Sequence, residues 1–158
     1  MDLNVNSPSY YTQEFGERIK GFSSRAAQIP WQLDDGYDAL LPVMQTDITL
    51  TYGHQILIID AKYYKRTMQT NHDVQTLHSG NLYQIFTYVK NKEAQLSGTG
   101  CKVSGMLLYA KTNEELVLNH VYQMSGNQIS VKTLDLNQEF SEIEKQLKKI
   151  VEDHFGIE

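Results

Sequence analysis

The chain has 158 residues, of which 41% are hydrophobic and 21% charged, with a formal net charge of −5. That length suits one compact domain able to bury a core without disulfide or metal staples. The acidic balance argues against a stand-alone, high-affinity nucleic-acid binder, which ordinarily presents a basic surface that displaces counterions from phosphates. A single cysteine, Cys101, excludes an internal disulfide framework and suits a reducing cytoplasm. Met1 to Ser9 lacks the apolar segment of a secretory signal, and no apolar run approaches the ~20 residues of a membrane span. A cytoplasmic protein is expected.

In chain order, the polar stretch Asn6-Ser7-Pro8-Ser9 predicts a disordered terminus. Tyr11, Phe15, Ile19 and Phe22 recur at helical spacing, which predicts a short amphipathic helix over Tyr10–Phe22, with Gly16 and Gly21 weakening it. Gln28 to Pro42 mixes Trp31 and Leu33 with the acidic turn Asp34-Asp35-Gly36, as a short strand followed by a loop would. Gln45 to Tyr52 alternates, with Ile48, Leu50 and Tyr52 on one face. Gly53-His54 is a turn signal and Gln55 to Tyr64 a β-rich run, so a hairpin is predicted. A polar loop follows over Thr67–Thr76. Leu82, Ile85, Phe86 and Val89 then predict a helix over Asn81–Leu96, with Ser79 as its N-cap. Val103–Ala110 has the continuous apolar character of a buried central strand. Val117–Met124 and Gln128–Leu136 predict a second hairpin, turned by Ser125-Gly126-Asn127. A last helix runs over Gln138–Phe155, with the stripe Phe140, Ile143, Leu147, Ile150 and Val151. The fold class is α/β.

The chemistry concentrates in Ile56-Leu57-Ile58-Ile59-Asp60-Ala61-Lys62. Side chains alternate along a strand, so Asp60 and Lys62 project from one side, and Leu57, Ile59 and Ala61 from the other. Asp47 lies on the preceding strand, and with the turn at Gly53-His54 it comes to lie nearly opposite Asp60. Two carboxylates held close are costly unless a cation sits between them or one is protonated. Mg²⁺ suits such a site because it takes hard oxygen ligands and retains waters for substrate phosphates. The Ala61 carbonyl is a further candidate ligand, and Lys62 can orient a nucleophile or stabilise phosphorane charge. An Asp and a Lys at i, i+2 are ordinarily a solvated face, and the tripeptide alone is a weak signal. Gln84 and Tyr88, four apart on the following helix, share a face that could contact a phosphate or position the lysine. Alone, such a pair is more often plain surface.

Together, Asp47, Asp60-Ala61-Lys62 and Gln84-Ile85-Phe86-Thr87-Tyr88 resemble the D…(D/E)xK…QxxxY series of RecB-type PD-(D/E)xK nucleases. More closely, Ile29-Pro30-Trp31, Leu41 through Asp47, Ile58 through Tyr64 and Asn81-Leu82-Tyr83-Gln84 are similar to McrC, the nuclease subunit of McrBC 5-methylcytosine restriction systems. The similarity spans roughly Gln28 to His154. It implies a restriction-endonuclease-like αβββαβ core, a mixed sheet flanked by helices, after an N-terminal segment at 1–27 and within a nuclease domain at 28–158. It also implies a Mg²⁺-dependent DNA endonuclease, with Mn²⁺ able to substitute. Asp47, Asp60 and Ala61 would hold the metal, and Asp47, Asp60, Lys62, Gln84 and Tyr88 would form the catalytic set. The implied partners are DNA, with modified cytosine as its mark, and a McrB-like AAA+ GTPase, which would account for the acidic charge. Members of this family are much longer, so the chain reads as a separated or truncated C-terminal domain. Many superfamily members add a Glu from the first helix, a role open here to Glu14 or Glu17.

Two other functions compete: a non-catalytic interaction or regulatory module that keeps the fold, and a Mg²⁺-dependent phosphatase or nucleotide hydrolase, which would not need Gln84 and Tyr88. Lys65 and Arg66 could meet a backbone phosphate or merely end a strand. His72 and His78 are expected to be solvated. Tyr63, Tyr83, Tyr109 and Tyr122 are expected in or near the core. No phosphate-cradling loop is present, and Cys101 has no recognisable base beside it.

Overall fold

In a computed structural model, which describes residues 22–63, 68–71, 74–111 and 117–158, the predicted first hairpin is the spine of the fold. Strand β4 (Ile48–Tyr52) pairs antiparallel with β5 (Gln55–Lys62), Tyr52 facing Gln55 across a two-residue turn. Gly53 takes φ 58° there, a conformation that glycine adopts without the Cβ penalty of other residues. Ahead of it come β1 (Phe22–Arg25), β2 (Gln28–Ile29) and β3 (Met44–Gln45). The run expected as one strand over Gln45–Tyr52 is therefore broken between β3 and β4. Thr46 explains the break: its buried hydroxyl bonds both the Ala27 backbone and Thr49 Oγ1 (2.9 Å), which turns the chain out of one ladder into the next.

The expected polar loop at 67–76 instead holds two short strands, β6 (Met68–Asn71) and β7 (Val74–Leu77), which pair with each other. Thr70, Val74 and Thr76 favour extended backbone, and pairing satisfies peptide groups that the polar composition alone would leave to water. Helix α1 (Ser79–Gln95) follows. Its N-cap is His78, without a side-chain capping bond, rather than Ser79. Then come β8 (Lys102–Ala110), β9 (Asn119–Met124), β10 (Asn127–Leu134) and α2 (Phe140–Phe155). The β9–β10 turn places both Ser125 (φ 49°) and Gly126 (φ 87°) in the left-handed region, the pattern of a type I′ hairpin.

The main sheet has six strands in the order β1-β4-β5-β8-β10-β9. Its centre, β5-β8-β10, is parallel, and both flanks are antiparallel. Parallel central strands are covered on both faces, which is why β5 and β8 read as nearly unbroken apolar runs. On one face Ile56, Ile58, Leu107, Tyr109, Ile129 and Val131 pack with Ile85, Tyr88 and Val89 of α1. On the other, Leu57, Ile59, Met106 and Leu108 pack with Ile143, Val151 and Phe155 of α2. The mixed sheet flanked by helices is as expected. The helix expected over Tyr10–Phe22 lies outside the described residues, except that Phe22 opens β1. Among the described residues no helix is long and apolar enough to cross a membrane.

Candidate active site

By parity along β5, Asp60 and Lys62 share the α1 face with Ile56 and Ile58. The last paired residues of the hairpin at this end are Ile48 and Ile59, so one step further Asp47 comes opposite Asp60. Asp47 is not itself in a strand: it occupies a bend just before β4. Its Oδ2 accepts the Ala61 backbone N–H at 2.8 Å, which ties it to the end of β5. The Thr46 hydroxyl anchors the preceding residue to Ala27, so the bend is held from both sides.

Asp60 is buried, at 4% exposure, the environment least tolerant of a free carboxylate. Lys62 Nζ stands 2.6 Å from Asp60 Oδ2 in an ion pair, although Oδ2 receives no hydrogen bond of acceptable geometry. The same ammonium donates to Gln84 Oε1 at 2.9 Å, and Gln84 Nε2 donates to the Tyr88 hydroxyl at 2.9 Å. Asp60, Lys62, Gln84 and Tyr88 therefore form one connected polar line running from β5 onto α1. Gln84 and Tyr88 are not the plain surface that such a pair usually is: Tyr88 is buried and Gln84 half-buried.

Burial raises the Asp60 carboxyl above its ordinary value of 3.8; Lys62 counters this, and the neighbouring Asp47 adds to the rise. An acid whose folded pKa is raised binds its proton more tightly in the fold than in the unfolded chain. Its stabilising contribution is present in full below the unfolded value and is lost as pH rises through the folded one. In EDTA, the unfolding free energy of wild type minus that of Asp60→Asn should therefore fall as pH is taken upward from 3.8 through the folded value, as denaturant titrations at several pH values can measure. A difference that stays flat or rises over that window would contradict a strained carboxylate.

A hard divalent cation matches this donor set. Asp60 is a buried carboxylate paired with Lys62, and a second carboxylate, Asp47, adds like charge beside it, a repulsion that a cation would offset. The Ala61 carbonyl lies between the Asp60 and Lys62 side chains on the same strand. Among the described residues no group of three or more His, Cys, Asp or Glu gathers here, so these residues would offer two carboxylates and a carbonyl. Glu14 and Glu17 lie outside the described residues, as do Lys65, Arg66 and His72.

The structure thus brings Asp47, Asp60, Ala61, Lys62, Gln84 and Tyr88 together. Sequence reasoning missed Thr46, and it missed the buried pair Asn81–Tyr109, in which Asn81 Nδ2 donates to the Tyr109 hydroxyl at 3.0 Å. A signal existed: Asn81, Gln84 and Tyr88 recur at helical spacing on the same side as Ile85, polar groups where a core stripe should be. Of the four tyrosines expected in or near the core, Tyr109 is buried, whereas Tyr63, Tyr83 and Tyr122 are exposed. His78 and Cys101 are half-buried.

No family model matches the chain. Over 115 residues, 73% of its length, it is 34% identical to the type IV methyl-directed restriction enzyme EcoKMcrBC of Escherichia coli (strain K12). The matched residues amount to 32% of that enzyme, so the chain spans about a third of the length of the relative it matches.

Proposed function

The chain is a McrC-like relative of the McrBC restriction enzymes, and from that premise we propose that it is a metal-dependent endonuclease hydrolysing the phosphodiester backbone of DNA. The observation that carries this is the convergence of Asp47 and Asp60 beside a lysine held in place by Gln84 and Tyr88. Support for a PD-(D/E)xK core comes from the topology: an antiparallel hairpin, β4–β5, feeds a parallel centre, and α1 makes the crossover from β5 to β8.

Asp47, Asp60 and the Ala61 carbonyl would hold Mg²⁺, or Mn²⁺ in its place. When bound, the ion supplies Lewis-acid polarisation of the scissile phosphate and a water of lowered pKa. The protein's own groups do the rest. Asp60, paired with Lys62 and opposite Asp47 at the end of the hairpin, would supply a carboxylate to the cation. Lys62 places a fixed positive charge where the phosphorane develops negative charge, and because Gln84 already orients it, little reorganisation is needed. The Lys62 ammonium has only donors and therefore takes the carboxamide oxygen of Gln84, whose Nε2 in turn donates to the Tyr88 hydroxyl. The net charge of −5 supports a division of labour in which a McrB-like AAA+ GTPase brings DNA carrying modified cytosine.

The test is calorimetric titration of Mg²⁺ or Mn²⁺ into the protein, with plasmid nicking assayed on the same samples. Metal binding with nicking supports an endonuclease competent by itself. Metal binding without nicking, restored by a GTPase subunit, supports the partnered form. Absence of metal binding would refute the enzyme and favour a non-catalytic module that keeps the fold.

A further inference from the structure

Tyr109 is the neighbour of Lys62 on the adjacent strand: the two are Cα partners in the β5–β8 ladder. Cα partners in a parallel pair lie side by side on one face of the sheet, here the face covered by α1. Tyr109 is only 1% exposed and Asn81, which donates to its hydroxyl, only 6%. A phenol and a carboxamide placed among Ile58, Ile85, Leu107 and Val89 are costly where apolar side chains could fill the same volume. Their hydrogen bond at 3.0 Å offsets that cost, and it also joins two particular points of the fold.

Those points matter because of what lies one turn away. Asn81 precedes Gln84 by three residues and therefore shares its side of α1. The helix begins at His78 without a side-chain cap, so this cross-link to β8 anchors its first turn in place of a local one. We propose that Asn81 and Tyr109 are positioning residues, which fix the height and rotation of the start of α1 over β8 so that Gln84 Oε1 meets Lys62 Nζ. The 2.9 Å bond from Lys62 to Gln84 tolerates little displacement, since such bonds span about 2.7–3.2 Å and weaken steeply as the donor angle closes. The inference rests on the endonuclease reading for its catalytic consequence but not for its structural one.

Tyr109→Phe tests it, because the ring still fills its place in the core and only the hydroxyl goes. The expected result is a drop in kcat of roughly 10- to 100-fold, the scale of a misplacement of about 1 Å, with KM for DNA and Mg²⁺ affinity unchanged. In a Gln84→Ala background the same substitution should cost nothing further, since both act through one contact. The side-chain amide resonances of Gln84 should also move in Tyr109→Phe without metal or DNA present. Equal losses in the two backgrounds, or unmoved Gln84 amide signals, would show a core pair with no hold on the lysine and overturn the proposal. If wild type cleaves no DNA even with a McrB-like GTPase subunit added, it is the endonuclease reading that fails. The amide signals then decide the positioning role alone, movement supporting it and no movement overturning it.

Discussion

Asp60→Asn is expected to lower metal-dependent DNA cleavage by about 10³-fold or more while leaving the fold intact. A metal at a phosphoryl centre contributes several kcal/mol of transition-state stabilisation, and each 1.36 kcal/mol is about tenfold in rate. The amide keeps the shape of the carboxylate but removes the charge that attracts the cation, so metal affinity and rate should fall together. Stability should not suffer in proportion, because burial already penalises the ionised Asp60 side chain. The measurement is the initial rate of plasmid nicking in Mg²⁺ for both proteins, with near-UV circular dichroism as the check on folding. A rate within about tenfold of wild type, in a folded variant that still binds Mg²⁺, would remove Asp60 from the metal site.

Gly105→Val should produce a large loss of stability on the α1 face. Gly105 sits in β8 at the centre of the sheet, between Ile58 of β5 and Ile129 of β10. A Cβ there would stand 2.8 Å from both Ile85 Cγ1 and Val89 Cγ2, and 3.1 Å from Ile129 Cδ1. Ile85 and Val89 are β-branched and helical, with essentially one favoured χ1 rotamer, so they cannot swing aside. The helix must lift instead. Overpacking of this kind costs about 1–3 kcal/mol, and more where backbone has to move. Because α1 carries Gln84 and Tyr88, cleavage should fall in the fraction that remains folded. Urea titration measures the first effect, and Val89→Ala in the same chain should recover part of it by clearing one of the two clashes. An unchanged urea midpoint for Gly105→Val would mean that α1 does not pack on Gly105 as described.

These two residues differ in how visible they are in the sequence. Asp60 is legible because strand periodicity, the turn at Gly53-His54 and the count of residues back to Asp47 are local matters, settled within a few residues of one another. The same holds for Ser125-Gly126, for the stripe of α2 and for the apolar run of β8. Gly105 is a glycine in a strand like many others until a helix is laid across it. Thr46 is a polar residue in an alternating run until Ala27 and Thr49 are found around it.

The sequence by itself determined the α/β class, the principal hairpin, both described helices and the residues Asp47, Asp60 and Lys62 as a chemical group, because period, turn propensity and side-chain alternation are short-range properties of the chain. Only the tertiary structure decided that Asp60 is buried and its carboxyl raised, that Gln84, itself bonded to Tyr88, reaches Lys62, and that Asn81 is bonded to Tyr109. Each of these depends on how close one element comes to another far along the chain. That separation is set by the summed volumes of packed side chains and by the missing one at Gly105.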